Sequence, residues 1–238
     1  MLKRFLLPLL LGLALTGCQT LDPAVLGELL PALTGRGELS GATIAAGLAD
    51  ALEVGTRQAV AQTSRDGGFG QNPAIRIPLP SKLQGMADGL RKIGFGASVD
   101  RFENQMNLAA EQAAGQAAPL FIDAIKQMSI ADAQGILSGG EHAATAYFRK
   151  VCEPKLQARF RPVAARHMQE LGVVTLYGDL LKKYKRIPFA PQPTVSIEEY
   201  VANAGVDGLF HVLAQEEAKI RRDPAARTTE LLRRVFGQ

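Results

Sequence analysis

The 238-residue sequence predicts an all-α protein, a compact multi-helix domain of seven to nine helices, and three observations carry that expectation. Apolar residues recur at three- and four-residue steps through most of the chain after Leu39, the spacing of one helix face. Helix-capping residues, chiefly Ser, stand before those stretches, and Gly or Pro follows them. Strand-like patterning is limited to one or two short extended pieces. With 47% hydrophobic and 21% charged residues the chain can bury a sizeable core, which excludes a disordered tail or a collagen-like fibre. Two cysteines exclude a disulfide scaffold.

The N-terminus reads as a signal peptide over residues 1–17. Lys3 and Arg4 form a charged start, Phe5 to Leu15 is an apolar run broken only by Pro8 and Gly12, and Thr16-Gly17 lead to Cys18. The run is too short to cross a membrane as a helix. Leu15-Thr16-Gly17-Cys18 resembles the lipobox of bacterial lipoproteins. That resemblance implies a diacylglycerol on the Cys18 sulfur, cleavage before Cys18 and acylation of the new amine. By resemblance to the sorting rule of Gram-negative lipoproteins, Gln19 in place of Asp implies the outer membrane, with the protein facing the periplasm. Several acyl chains anchor far more firmly than one. Cleavage leaves 221 residues, with 25 basic against 23 acidic, so the net charge falls from +4 to +2 and calls for no nucleic acid partner.

Residues 18–38 read as a lipidated tether, rich in Pro and Gly, with a short helix at Val25–Leu30; the single helical domain spans residues 39–238. Its first helix runs from Leu39 to about Ser64, striped by Ile44, Leu48, Leu52, Gly55 and Ala59. The many Ala and Gly on such stripes predict close helix packing. Asp66 to Pro73 is a loop, and Ile75 to Pro80 is extended because each proline disfavours helix in the residue before it. Ser81 is placed as N-cap of a helix through Ile93 that stops at Gly94 and Gly96. Ser98 opens a longer helix with Val99, Phe102, Met106, Ala109, Ala113 and Ala117 on its buried face; Pro119 interrupts it, and Phe121, Ile125 and Met128 continue the stripe. Ser129 caps a short helix with Asp132 in its first turn, ended by Gly139-Gly140. Glu141 to about Arg159 and Pro162 to Lys185 read as two helices, with Pro162 in a first turn. A connection containing Pro188, Pro191 and Pro193 leads to Ser196, the cap of a helix reaching Arg221. Asp223-Pro224 begins a last helix to Gly237, whose Leu231, Leu232, Val235 and Phe236 form an apolar seam flanked by Arg227, Arg233 and Arg234.

Three blocks carry a family resemblance. They are Asn72-Pro73 with Ile75 to Pro80; Leu137 to Gly140 with Ala143 to Thr145 and Tyr147 to Arg149; and Asp207 to Phe210 with Glu216-Glu217, Ile220-Arg221 and Pro224 to Gly237. Together they resemble the proteobacterial lipoprotein family catalogued as domain of unknown function 4197, over about residues 40–237. The resemblance implies an all-helical envelope protein without an assigned activity, and it carries over no catalytic or binding residue. Cys152 is not part of the pattern.

The chemistry-bearing residues form no strong motif. Of His142, His167 and His211, none has zinc-site spacing, so no metal and no cofactor is expected. Asp207 and His211 stand four apart with Glu216 beyond, which could supply metal ligands or an acid–base group; the competing reading is a structural ion pair beside Leu209, Phe210 and Leu213. Glu141-His142 could present a helix N-terminus to an anion, or could simply start a helix. Gly67-Gly68-Phe69-Gly70 lacks the Lys and Ser/Thr of a phosphate loop. Glu198-Glu199 and Glu216-Glu217 read as solvent-facing charge. The basic run Lys182 to Arg186 could touch anionic lipid head groups or an envelope polymer, or could be a solvated helix end. Cys152 reads as buried, since no histidine lies at helical spacing to activate it.

The expectation is therefore a non-catalytic outer-membrane lipoprotein, held to the membrane by lipid on Cys18 and binding or scaffolding an envelope protein or lipid. A carrier of lipid or small hydrophobes is the first alternative and requires an apolar pocket of about 300 Å³ or more. An envelope hydrolase using Asp207, His211 and Glu216 is the second, and requires those side chains to converge.

Overall fold

Serine caps open three helices and glycines close two in the computed structural model, which describes residues 40–188, 193, 195–223 and 233. The signal peptide, Cys18, the tether with its Val25–Leu30 helix, most of the proline connection, and the final helix apart from Asp223 and Arg233 lie outside the described residues. Eight helices and no strand are present among the described residues. They are α1 (Gly41–Ser64), α2 (Ser81–Lys92), α3 (Gly96–Ala114), α4 (Ala118–Lys126), α5 (Ile130–Ser138), α6 (Ala143–Glu170), α7 (Val173–Tyr184) and α8 (Ile197–Arg222). None is long and apolar enough to cross a membrane.

Ser40 caps α1 by accepting from the Thr43 N–H at 3.1 Å. Ser196 does the same for α8. Ser129 and Asp132 form the reciprocal capping box of α5. Two starts differ from expectation. Pro80, not Ser81, is the N-cap of α2, because the Pro80 carbonyl already accepts from the Leu83 N–H at 2.8 Å. Helix α3 begins at Gly96, two residues before Ser98, because the Phe95 carbonyl accepts from the Ser98 and Val99 N–H groups.

The larger correction concerns Pro162. The expected break near residue 160 is absent, and α6 runs 28 residues through both Pro154 and Pro162. An interior proline costs a helix about 3 kcal/mol. Here Phe148, Cys152, Leu156, Phe160, Ala164 and Met168 form one buried row at four-residue steps across both prolines, while the prolines themselves face solvent. Six buried side chains, the large apolar ones contributing about 1.5–3 kcal/mol each, outweigh two lost backbone bonds. The turn comes instead at Gly172, whose φ of +68° suits glycine.

Helix α8 is central, packing on α1, α3 and α6. Its Gly205 and Gly208 make room for aromatic rings, Phe160 from α6 and Phe69 from the 65–75 loop. Phe121 meets Phe148 and Phe210 edge to face at 5.5 and 5.6 Å in the middle of the core. The extended piece alternates as a strand does, with Ile75, Ile77 and Leu79 buried and Arg76 and Pro78 exposed. It has no strand partner; the Asn107 side-chain amide instead pairs with both backbone groups of Ile77, at 2.8 and 2.9 Å.

Candidate functional site

Asp207, His211 and Glu216 do not come together. Glu216 lies nine positions after Asp207, two and a half helical turns, so they lie on opposite faces of α8. Asp207 is exposed and pairs with Arg149 at 3.0 Å. His211 is exposed and faces Gln215. Glu216 is buried and accepts from Gln62 Nε2 at 2.7 Å. The hydrolase constellation therefore does not form, and the expected Asp207–His211 pair is replaced by Asp207–Arg149. Among the described residues no group of three or more His, Cys, Asp or Glu could hold a metal ion.

Glu216 and Glu217 also correct the sequence reading, since both are buried, not solvent-facing. Glu217 accepts from the Ala144 N–H, the Thr145 N–H and the Thr145 hydroxyl, each at 2.8 Å, and from the Arg221 guanidinium. His142 gives α6 no side-chain cap, so a carboxylate 73 residues away caps it instead. The α6 N-terminus therefore has its leading donors occupied.

The glycine loop has the same solution. Glu111 of α3 is buried, and its carboxylate accepts from the Gly67, Phe69 and Gly70 N–H groups at 3.2, 3.0 and 2.9 Å. Three converging backbone donors form an anion nest. It is filled from within.

Cys152 lies in the core, and burial pushes its thiol up to about 11, far from a reactive thiolate at neutral pH. The basic run ends α7, with Lys182 paired to Asp179 and the Lys183 ammonium 4.2 Å from the centre of the Phe95 ring.

The feature that sequence reasoning missed is a cleft of about 390 Å³ between the α3–α4 junction and α6. Ala113, Ala117, Leu156 and Phe160 form its buried floor, and Leu120 and Val163 its half-buried walls. Pro119 and Pro162 stand on the exposed rim beside Gln116, Ala158 and Arg159. The two prolines were the available signal. Both punctuate the helical pattern of the sequence, and Pro162 also leaves the Ala158 carbonyl without its helical donor, at the edge of the cleft. Arg159 has no ion-pair partner among the described residues. An apolar floor with one cation and few polar groups at its rim is what a small amphiphile requires.

A family model described as protein of unknown function (DUF4197) matches residues 38–237, in agreement with the resemblance read from the three sequence blocks. No curated protein and no solved structure matches the chain.

Proposed function

We propose that this chain, which belongs to the DUF4197 family, is a lipid-anchored binding protein on the periplasmic face of the outer membrane, and that its α3–α4/α6 cleft takes a small apolar or amphiphilic ligand. The cleft carries the reading. At about 390 Å³ it exceeds the roughly 300 Å³ at which small-molecule sites begin, and its floor is wholly apolar. Its lower-end volume fits a single short chain or a compact ring system better than a two-chain lipid. Arg159 on the rim, without an ion-pair partner among the described residues, favours a ligand whose polar end is anionic. Support for the anchor is the Leu15-Thr16-Gly17-Cys18 ending followed by Gln19.

Two measurements test this. Replacing residues 1–18 by a leader that is cleaved without lipidation is expected to move the protein from the membrane fraction to the soluble periplasm; firm retention would sink the anchor. The released protein is then titrated with a single-chain fatty acid carrying a fluorophore. Saturable binding is expected, abolished by Ala158→Trp, which caps the cleft from an exposed position without altering the core. Binding unaffected by that substitution would remove the cleft from the proposal.

A further inference from the structure

The ends of α2 and α7 lie together. A Cβ placed on Gly89 would sit 3.3 Å from the Tyr184 ring and 3.5 Å from Ile187, and Lys183 of α7 stacks on Phe95, just past α2. This juxtaposition gathers Arg91 and Lys92 from one helix with Lys182, Lys183, Lys185 and Arg186 from the other. The acidic residues on these helix ends and on the start of α3 are Asp88, Asp100 and Asp179, half as many. Asp100 is held by Arg91 at 2.8 Å and Asp179 by Lys182 at 3.3 Å. Asp88 stands one turn before Lys92. Lys92, Lys185 and Arg186 have no ion-pair partner among the described residues.

Cations at a helix C-terminus offset its exposed carbonyls, and that alone would explain a basic residue or two. It does not explain Ile93. This side chain follows Lys92 directly and is 51% exposed, the most exposed large hydrophobic among the described residues. An apolar side chain set among cations matches the interfacial region of a bilayer, where charged head groups overlie hydrocarbon. We infer that the end of the molecule formed by the α2 and α7 termini docks on an anionic phospholipid surface, with Ile93 entering the head-group layer and Lys92, Lys185 and Arg186 supplying the electrostatic attraction. This contact is independent of the cleft. Combined with an N-terminal lipid it would hold the folded domain against the membrane in one orientation, the two-signal arrangement that makes peripheral attachment stable.

The test uses the full chain with a single environment-sensitive dye at Ile93→Cys, in a background of Cys18→Ser and Cys152→Ala. The control carries the dye at Val174→Cys, an exposed site at the opposite end of α7. The probes are vesicles containing phosphatidylglycerol and vesicles of phosphatidylcholine alone. The dye at position 93 is expected to shift blue on the anionic vesicles only, and to return in 1 M salt, where the Debye length is about 3 Å; the dye at 174 stays unchanged. Replacing Lys92, Lys185 and Arg186 by Gln is expected to weaken the response about fivefold each, roughly a hundredfold together. All three are exposed, so the fold is expected to survive, with helical circular dichroism as the check. An equal shift on both vesicle types, a shift at 174 matching that at 93, or no loss in the triple Gln variant would overturn the assignment.

Discussion

Glu111 is a buried carboxylate with three backbone donors and no cation partner among the described residues, so its removal isolates the value of an internally filled anion nest. Glu111→Ala leaves the Phe69 N–H buried and unsatisfied, at a cost of about 1–3 kcal/mol. The Gly67 and Gly70 N–H groups are half-buried and can recruit water, so each loses about 0.5–1.5 kcal/mol. The sum, about 2–6 kcal/mol, is reduced because the variant no longer desolvates a carboxylate, and about 3–4 kcal/mol is expected. With a urea m-value on the order of 2–3 kcal/mol/M, the midpoint falls by about 1–2 M. Circular dichroism across a urea series measures this directly.

Two controls sharpen the test. Glu111→Gln keeps an oxygen for Phe69 and Gly70, both of which donate to Oε1, but sets an amide N–H₂ against the Gly67 N–H; about 1–2 kcal/mol is expected. Formate should re-enter the nest vacated in Glu111→Ala. With a Kd on the order of 10 mM, 100 mM formate returns about 1.4 kcal/mol, and wild type gains nothing. A cost below about 1 kcal/mol for Glu111→Ala, or equal stability of the Gln and wild-type proteins, would refute the reasoning.

Gly208→Ala gains about 1 kcal/mol of helix propensity but brings a Cβ to 2.5 Å from Phe69 Cε1 and 3.3 Å from Ile75 Cβ; overpacking of this kind costs about 1–3 kcal/mol, so a net loss of up to about 2 kcal/mol in thermal or urea unfolding is expected. In a Cys18→Ser background, Cys152 should resist a thiol reagent at pH 8 while the chain is folded and react fully once it is unfolded, because burial holds its pKa near 11. Asp132 is held below its ordinary value of 3.8 by the Ser129 hydroxyl and N–H. Its contribution is therefore complete above that value and lost as pH falls through the lowered one, so the stability gap between wild type and Asp132→Asn, read by urea unfolding, should close in strong acid. Ser129→Ala should cost about 0.5–2 kcal/mol at neutral pH.

The helices were legible because their signals are local. Ser40 to Ser64, the Ser129–Asp132 box and the Gly139 stop each depend on residues within a turn or two. Pro162 was misread because its penalty is local and its compensation is not: the buried row from Phe148 to Met168 has meaning only against α3 and α8. Distance likewise hid the polar core. Glu111 acts 41 to 44 residues away and Glu217 more than 70, and no periodicity links a carboxylate to backbone donors so remote. The cleft escaped for the same reason, since its floor joins Ala113 and Ala117 to Leu156 and Phe160 across two helices.

These long-range carboxylates bear on recognition as well as on stability. The sequence offers an external anion two backbone clusters, the Gly67–Gly70 loop and the α6 N-terminus, and the fold closes both with Glu111 and Glu217. An internal ligand is present at an effective concentration of at least millimolar and leaves only with local unfolding. A free phosphate or carboxylate would have to displace it from a buried position, against the desolvated charge that would be left behind. Under the two proposals above, anionic partners would meet side-chain cations that have no ion-pair partner among the described residues: Arg159 beside an apolar cleft, and Lys92, Lys185 and Arg186 at the end of the molecule that carries Ile93. In both proposals the cation lies near apolar surface, a combination that would favour amphiphiles over small inorganic anions.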